Sequence, residues 1–146
     1  MITYTDTAQG IEHIHLEGFF EGWLHPPSTA THLAILQSSA VVILAVDDEA
    51  DRVVGFVTAI SDGVLAAYIP LLEVLPGYRG RGIGRELMRR VLDALAGLYM
   101  IDLVCDDDVR PFYEKLGMQA MTAMGRRDMA AQSGRPGGPG GPGEPA

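Results

Sequence analysis

The stretch from Val74 to Arg85, Val-Leu-Pro-Gly-Tyr-Arg-Gly-Arg-Gly-Ile-Gly-Arg, constrains this chain more than any other. It follows a long apolar run, Val64 to Leu75, and leads into Ile83 to Leu95, where Ile83, Leu87, Met88, Val91, Leu92 and Leu95 recur at helical spacing. A buried strand is thus joined to an amphipathic helix through a turn with glycine at alternate positions, Gly80, Gly82 and Gly84. Glycine lets the backbone bend tightly and approach a ligand, and the helix start directs free N–H groups and the positive end of its dipole into the turn. Such a turn binds a phosphate or pyrophosphate. Arg79 and Arg81 add charged donors at the same point. The segment is neither a P-loop, lacking the Lys-Ser/Thr pair, nor the G-x-G-x-x-G of a dinucleotide fold.

The net charge of -8 argues against nucleic acid or an anionic membrane as partner, since either needs a broad basic face. The distribution is more informative. From Met1 to Tyr78 ten acids accompany one base, Arg52, whereas five of the eleven cations, Arg79, Arg81, Arg85, Arg89 and Arg90, fall within twelve residues. Arg89 and Arg90 stand four residues from Asp93 and Glu86, respectively, and read as a solvated helix face. The loop arginines read as anion binders, and the acid-rich first half favours a cationic substrate. The longest apolar run, Ala40 to Val46, falls far short of the roughly 20 residues of a membrane span. The start lacks a signal-peptide pattern, and a single cysteine, Cys105, excludes an internal disulfide, so the expected compartment is the cytoplasm. The pair His13-x-His15 with two dispersed histidines, His25 and His32, and no nearby cysteine is a poor ligand set, and no metal is expected.

Periodicity supplies the remaining elements. Gln9 to Phe20 reads as a helix weakened by Gly18, and His32 to Ser38 as a second, capped from Ser28-Thr29. Val41 to Val46 is a strand covered on both faces, paired with Arg52 to Ile60 across the polar turn at Asp47 to Asp51. After the glycine turn and its helix come a strand, Tyr99 to Cys105, a short helix, Val109 to Leu116, and a last strand, Ala120 to Arg127. The final fourteen residues hold six glycines and four prolines, so the expected division is a domain over 1–130 and a low-complexity tail over 131–146.

In this context Arg79-Gly-Arg-Gly82-Ile-Gly84 resembles the acyl-CoA motif R/Q-x-x-G-x-G/A of the GNAT superfamily of N-acetyltransferases, and Leu72-Glu-Val-Leu-Pro76 resembles its L-x-V-x-P strand end. A second segment, Asp106-Asp-Asp-Val-Arg-Pro-Phe-Tyr113-Glu-Lys-Leu-Gly117-Met, is similar to the family's N-x-x-A-x-x-F-Y-E-K-x-G-F. The resemblance implies an α/β (α+β) fold: a mixed, mostly antiparallel sheet of six or seven strands flanked by about four helices. It implies that acetyl-CoA is the cosubstrate, its pantetheine arm lying in a gap beside Leu72 and Val74. Its pyrophosphate would sit on Arg79, Gly80, Arg81, Gly82, Ile83 and Gly84, with Arg85 at the helix start. Asp106 stands where the family has Asn, keeping an acceptor and losing an amide donor. Phe112 matches the residue that flanks the cofactor arm, and Tyr113 the tyrosine that protonates the departing thiolate.

A phenol of pKa about 10 stays protonated at pH 7 and can donate to a thiolate of pKa about 8.5, so the Tyr113 role is chemically sound. The attacking amine must lose a proton, which costs roughly 4 to 5 kcal/mol at pH 7. Glu73 is the first candidate to receive it, as base or as a structural carboxylate, with Glu21 and His25 weaker ones. Trp23, Phe19 and Phe20 lie where the family builds its acceptor site, or else close the core. The expected activity is acetyl transfer to a primary amine, of a small molecule or a protein N-terminus, by direct attack. A CoA-binding sensor without turnover is the alternative. Too few residues follow Met118 for the usual two-strand hairpin, so a second subunit could supply the missing edge.

Overall fold

Val41 to Val46 presents an apolar side chain at every residue, and a strand of that kind needs cover on both faces. The computed structural model, which describes residues 1–135, places it inside a sheet. The strands are β1 (Ile2–Thr5), β2 (Val41–Asp47), β3 (Arg52–Ser61), β4 (Ala66–Val74) and β5 (Met100–Asp102), ordered β1-β2-β3-β4-β5. The first three pairings are antiparallel and β4–β5 is parallel. Helices α1 (Thr29–Ser38) and α2 (Ile83–Ala94) cover opposite faces, and a short α3 (Arg110–Glu114) follows β5. Adjacent residues of β3 show the two layers. A Cβ on Gly55 would come within 3.1 Å of Leu87 and 3.2 Å of Ile83 of α2, while the neighbouring Phe56 ring lies 4.4 Å from the His32 ring of α1. Glycine at position 55 thus lets α2 approach the sheet closely.

The expected caps and turns hold. Ser28 Oγ accepts from the Thr31 N–H at 3.1 Å and starts α1 three residues before the predicted His32. Asp62 accepts from the N–H groups of Val64, Leu65 and Ala66, closing the β3–β4 turn. On α2, Arg89 pairs with Glu86 and Asp93, and Arg90 pairs with Glu86 and stacks over Tyr4, as a solvated helix face would. The two arginines pull the Glu86 carboxyl down to about 2.

Element number differs from expectation. Among the described residues there are five strands, not six or seven, and three α-helices, not about four. Gln9 to Phe20 forms one 3-10 turn, His13–Leu16, because Gly10, Gly18 and Phe20 all take positive φ, which a right-handed helix cannot contain. Residues 120–127 form no strand: β5 spans three residues and offers almost no edge on which another strand could pair. That segment instead continues to the loop before α1, where Gln132 Oε1 accepts from the His25 N–H at 2.6 Å. Of the Gly/Pro-rich tail, residues 136–146 lie outside the described residues. No helix among the described residues is long and apolar enough to cross a membrane.

Candidate functional site

Pro70 is the residue from which the site is built. Thr58 pairs with Leu71 and Ile60 with Tyr68, so the single residue Ala59 of β3 faces two residues of β4, Ile69 and Pro70. This is a β-bulge, which bends the strand and raises its twist. Pro70 also lacks an N–H to give a neighbour. The parallel ladder to β5 accordingly ends at Tyr68–Asp102, and beyond it the two strands part. The gap holds a cavity of about 370 Å³. Leu72 and Glu73 of β4 line one side, and Cys105, Asp106 and Tyr113 the other. Phe20 and Trp23 close one end.

The glycine turn lies at the same end of β4. Gly80 and Gly82 take φ of +78° and +80°, and Gly82 caps α2 in the left-handed region. Among the described residues no acceptor takes the N–H groups of residues 80–85, the first free amide row of α2 and the turn before it. Three contacts hold this turn. The Tyr78 hydroxyl donates to Asp47 at 2.6 Å, Arg79 Nε donates to the Val74 carbonyl at 2.9 Å, and Arg79 Nη2 pairs with Glu21 at 2.8 Å. Arg81 lies over the Tyr78 ring and donates to the Gly77 carbonyl, while Arg85 is exposed. A Cβ on Gly84 would lie 3.7 Å from Phe112 and 3.8 Å from Val74, ordinary contact distances, so an alanine would fit there. The free amides, positive φ and nearby guanidinium groups fit a bound pyrophosphate.

Of the residues singled out in the sequence, Leu72, Glu73, Asp106 and Tyr113 line one cavity, and Arg79 to Arg85 form the turn beside it. Val74 and Phe112 lie under the start of α2 rather than on the cavity wall. Asp106 precedes a 3-10 turn without capping it through its side chain, leaving that carboxylate exposed at the cavity. Tyr113 is half-buried, and burial first, then the Cys105 thiol on the same wall, pushes its phenol above the usual value. Glu73 turns toward the loop that carries Phe20: Oε1 accepts from the Phe20 N–H at 2.8 Å and Oε2 from the Glu21 N–H at 3.3 Å. It thereby anchors a loop in which Phe20 has φ of +63°. Glu21 is engaged by Arg79, and His25 is not on the cavity wall.

The aromatic residues divide. Phe19 is core, whereas Phe20 and Trp23 form the cavity end together with Phe56. Phe56 and Arg127 escaped the sequence reading: Phe56 sits within an apolar strand like any core residue, and Arg127 on a segment expected to be a strand. Behind the aromatic wall, His32 is 1% exposed among the rings of Phe19, Phe20 and Phe56, with neither ring nitrogen hydrogen-bonded.

Residues 8–118 match the family model described as the acetyltransferase (GNAT) family. The chain is 30% identical over 119 residues to the uncharacterised N-acetyltransferase ycf52 of Porphyra purpurea, covering 78% of this chain and 68% of that one. A candidate acetyltransferase from Deinococcus radiodurans superposes with a TM-score of 0.90 at 52% identity, covering 92% and 94% of the two chains. A GNAT-family acetyltransferase from Streptococcus pneumoniae gives 0.67 at 26%, covering 87% and 100%. With the bulged fourth strand, the parted fifth and the glycine turn already in place, these matches show that the chain belongs to the GNAT family of acetyltransferases.

Proposed function

We propose that the protein transfers the acetyl group of acetyl-CoA to a primary amine by direct attack within the gap between β4 and β5. The observation that carries this reading is the position of Tyr113 on the wall opposite Glu73 in one cavity next to an amide-rich turn. The turn at Arg79, Gly80, Arg81, Gly82, Ile83 and Gly84 holds the pyrophosphate, with Arg85 beside it. The arm passes the unpaired edge of β4 at Leu72 and Val74, and Phe112 supports the turn from beneath.

In the reaction the amine nitrogen forms a bond to the thioester carbonyl carbon and the carbon–sulfur bond breaks. Tyr113 gives its phenolic proton to the departing sulfur; its raised pKa keeps the phenol protonated but does not strengthen it as an acid, so its contribution rests on position. Glu73 receives the first proton of the ammonium, and the second, shed by nitrogen as the amide forms, restores the Tyr113 phenol. Its two backbone hydrogen bonds fix the carboxylate and leave each oxygen a further lone pair. Holding amine and thioester together in the gap supplies much of the acceleration.

Free-thiol release from acetyl-CoA across a panel of amines tests the reading. Tyr113→Phe is expected to lower kcat by about 10²-fold or more while leaving the acetyl-CoA-induced rise in Tm in place. An unchanged kcat would remove the assigned acid.

A further inference from the structure

The cavity carries a positive charge that acetyl transfer to a simple amine does not use. Arg127 lies on the segment that continues from α3 to the loop before α1, and it lines the cavity that Glu73 and Asp106 face. Its guanidinium folds over Gly125, where a Cβ would meet Nη1 at 3.1 Å, so glycine leaves the room it occupies. Nη1 donates to the Arg126 carbonyl at 3.3 Å, and among the described residues no carboxylate pairs with Arg127. The guanidinium therefore keeps most of its five donors for a ligand.

Two acids and one arginine at one cavity suit neither a purely cationic nor a neutral acceptor. An ammonium is attracted to Glu73 and Asp106, and an oxyanion to Arg127, whose planar fork matches carboxylate and phosphate. The cavity of about 370 Å³ is open to solvent and must also take the thioester end of the cosubstrate, so the part of the acceptor that enters it is small.

We propose that the acceptor is a small amine bearing an oxyanion, carboxylate or phosphate, on the same molecule, and that Arg127 selects it. This rests on the acetyl-transfer reading above and adds the substrate class and its specificity residue. The acid-rich first half of the chain then accounts for the ammonium end alone.

The test is thiol release from acetyl-CoA with matched pairs: each L-amino acid against its amide, and O-phosphoethanolamine against ethanolamine. The wild-type protein is expected to favour at least one oxyanion-bearing member by about tenfold or more in kcat/KM. Whether the amino-acid or the phosphate pair responds identifies the oxyanion. Arg127→Gln should collapse that ratio toward one, through KM rather than kcat, and Arg127→Lys should restore part of it. Equal use of both members by the wild-type protein, a ratio that Arg127→Gln leaves intact, or thiol release from no oxyanion-bearing amine would each overturn the proposal. If acetyl-CoA also fails to raise Tm, the underlying acetyl-transfer reading falls with it.

Discussion

At the scale of the residue, His32 carries a physical cost that the sequence pattern does not announce. A buried imidazole with neither nitrogen paired loses hydration without compensation, about 1–3 kcal/mol for each orphaned group, and the Thr58 hydroxyl of β3 is orphaned as well. Burial lowers its pKa from 6.5 to about 4. Between those values the unfolded chain binds a proton that the folded chain refuses, so stability rises with pH through this window. The contribution is fully present above pH 6.5 and is lost as pH falls through 4, by roughly 3 kcal/mol in all. Urea denaturation of the wild type against His32→Leu should show a difference in ΔG that grows by about that amount from pH 7 to pH 4. A constant difference would mean that His32 is not buried in neutral form. His32 was invisible in the sequence because a histidine at a helical core position looks like any dispersed histidine. Tyr113 and Asp106, by contrast, were legible because their spacing within one motif carried them. Arg127 was not, since its placement depends on where an unpaired segment runs.

Elements were legible where a local rule suffices. The stripe of α2 predicts Ile83–Ala94 to within a residue, and Pro70 already broke the apolar run that becomes β4. What Pro70 does there depends on β3, because the bulge exists only as a register between two strands. Gln9 to Phe20 carries helical spacing but folds around residues of positive φ, one of them Phe20, held by Glu73 from fifty-three positions away. Such a tether has no local signal. The turn before α2 allows conformation and space to be separated. Gly82 has φ of +80°, and a Cβ there would meet nothing within 4 Å, so its requirement is of backbone alone. A β-branched residue in the left-handed region costs roughly 1–2 kcal/mol, whereas asparagine visits it readily. Gly82→Val should therefore lower urea-unfolding stability by about that amount and Gly82→Asn by well under half of it. Equal stability of the two variants would show that the turn does not need the left-handed cap.

At the scale of the whole molecule, the sheet has two edges that look alike and should behave differently. β1 closes one with four residues and β5 the other with three. The antiparallel strands β2 and β3 between them carry nine of the twenty-two buried apolar residues among the described residues, including Leu44, Val54, Phe56 and Val57. β5 joins the sheet through Ala66–Met100, Ala67–Ile101 and Tyr68–Asp102 alone, and everything that faces Glu73 across the cavity depends on it. An opening of β5 thus destroys the gap proposed to hold acetyl-CoA, whereas an opening of β1 leaves that gap whole. A ligand slows exchange only through those openings that abolish its binding, by a factor of one plus its concentration over Kd. At about a hundred times Kd, amide exchange in residues 100–102 and 110–114 should slow by roughly a hundredfold, while residues 2–5 exchange as before. Hydrogen–deuterium exchange with and without acetyl-CoA measures both edges in one experiment. Equal slowing at β1 and β5 would mean that the cosubstrate stabilises the fold as one unit, and no slowing at β5 would place it outside the gap.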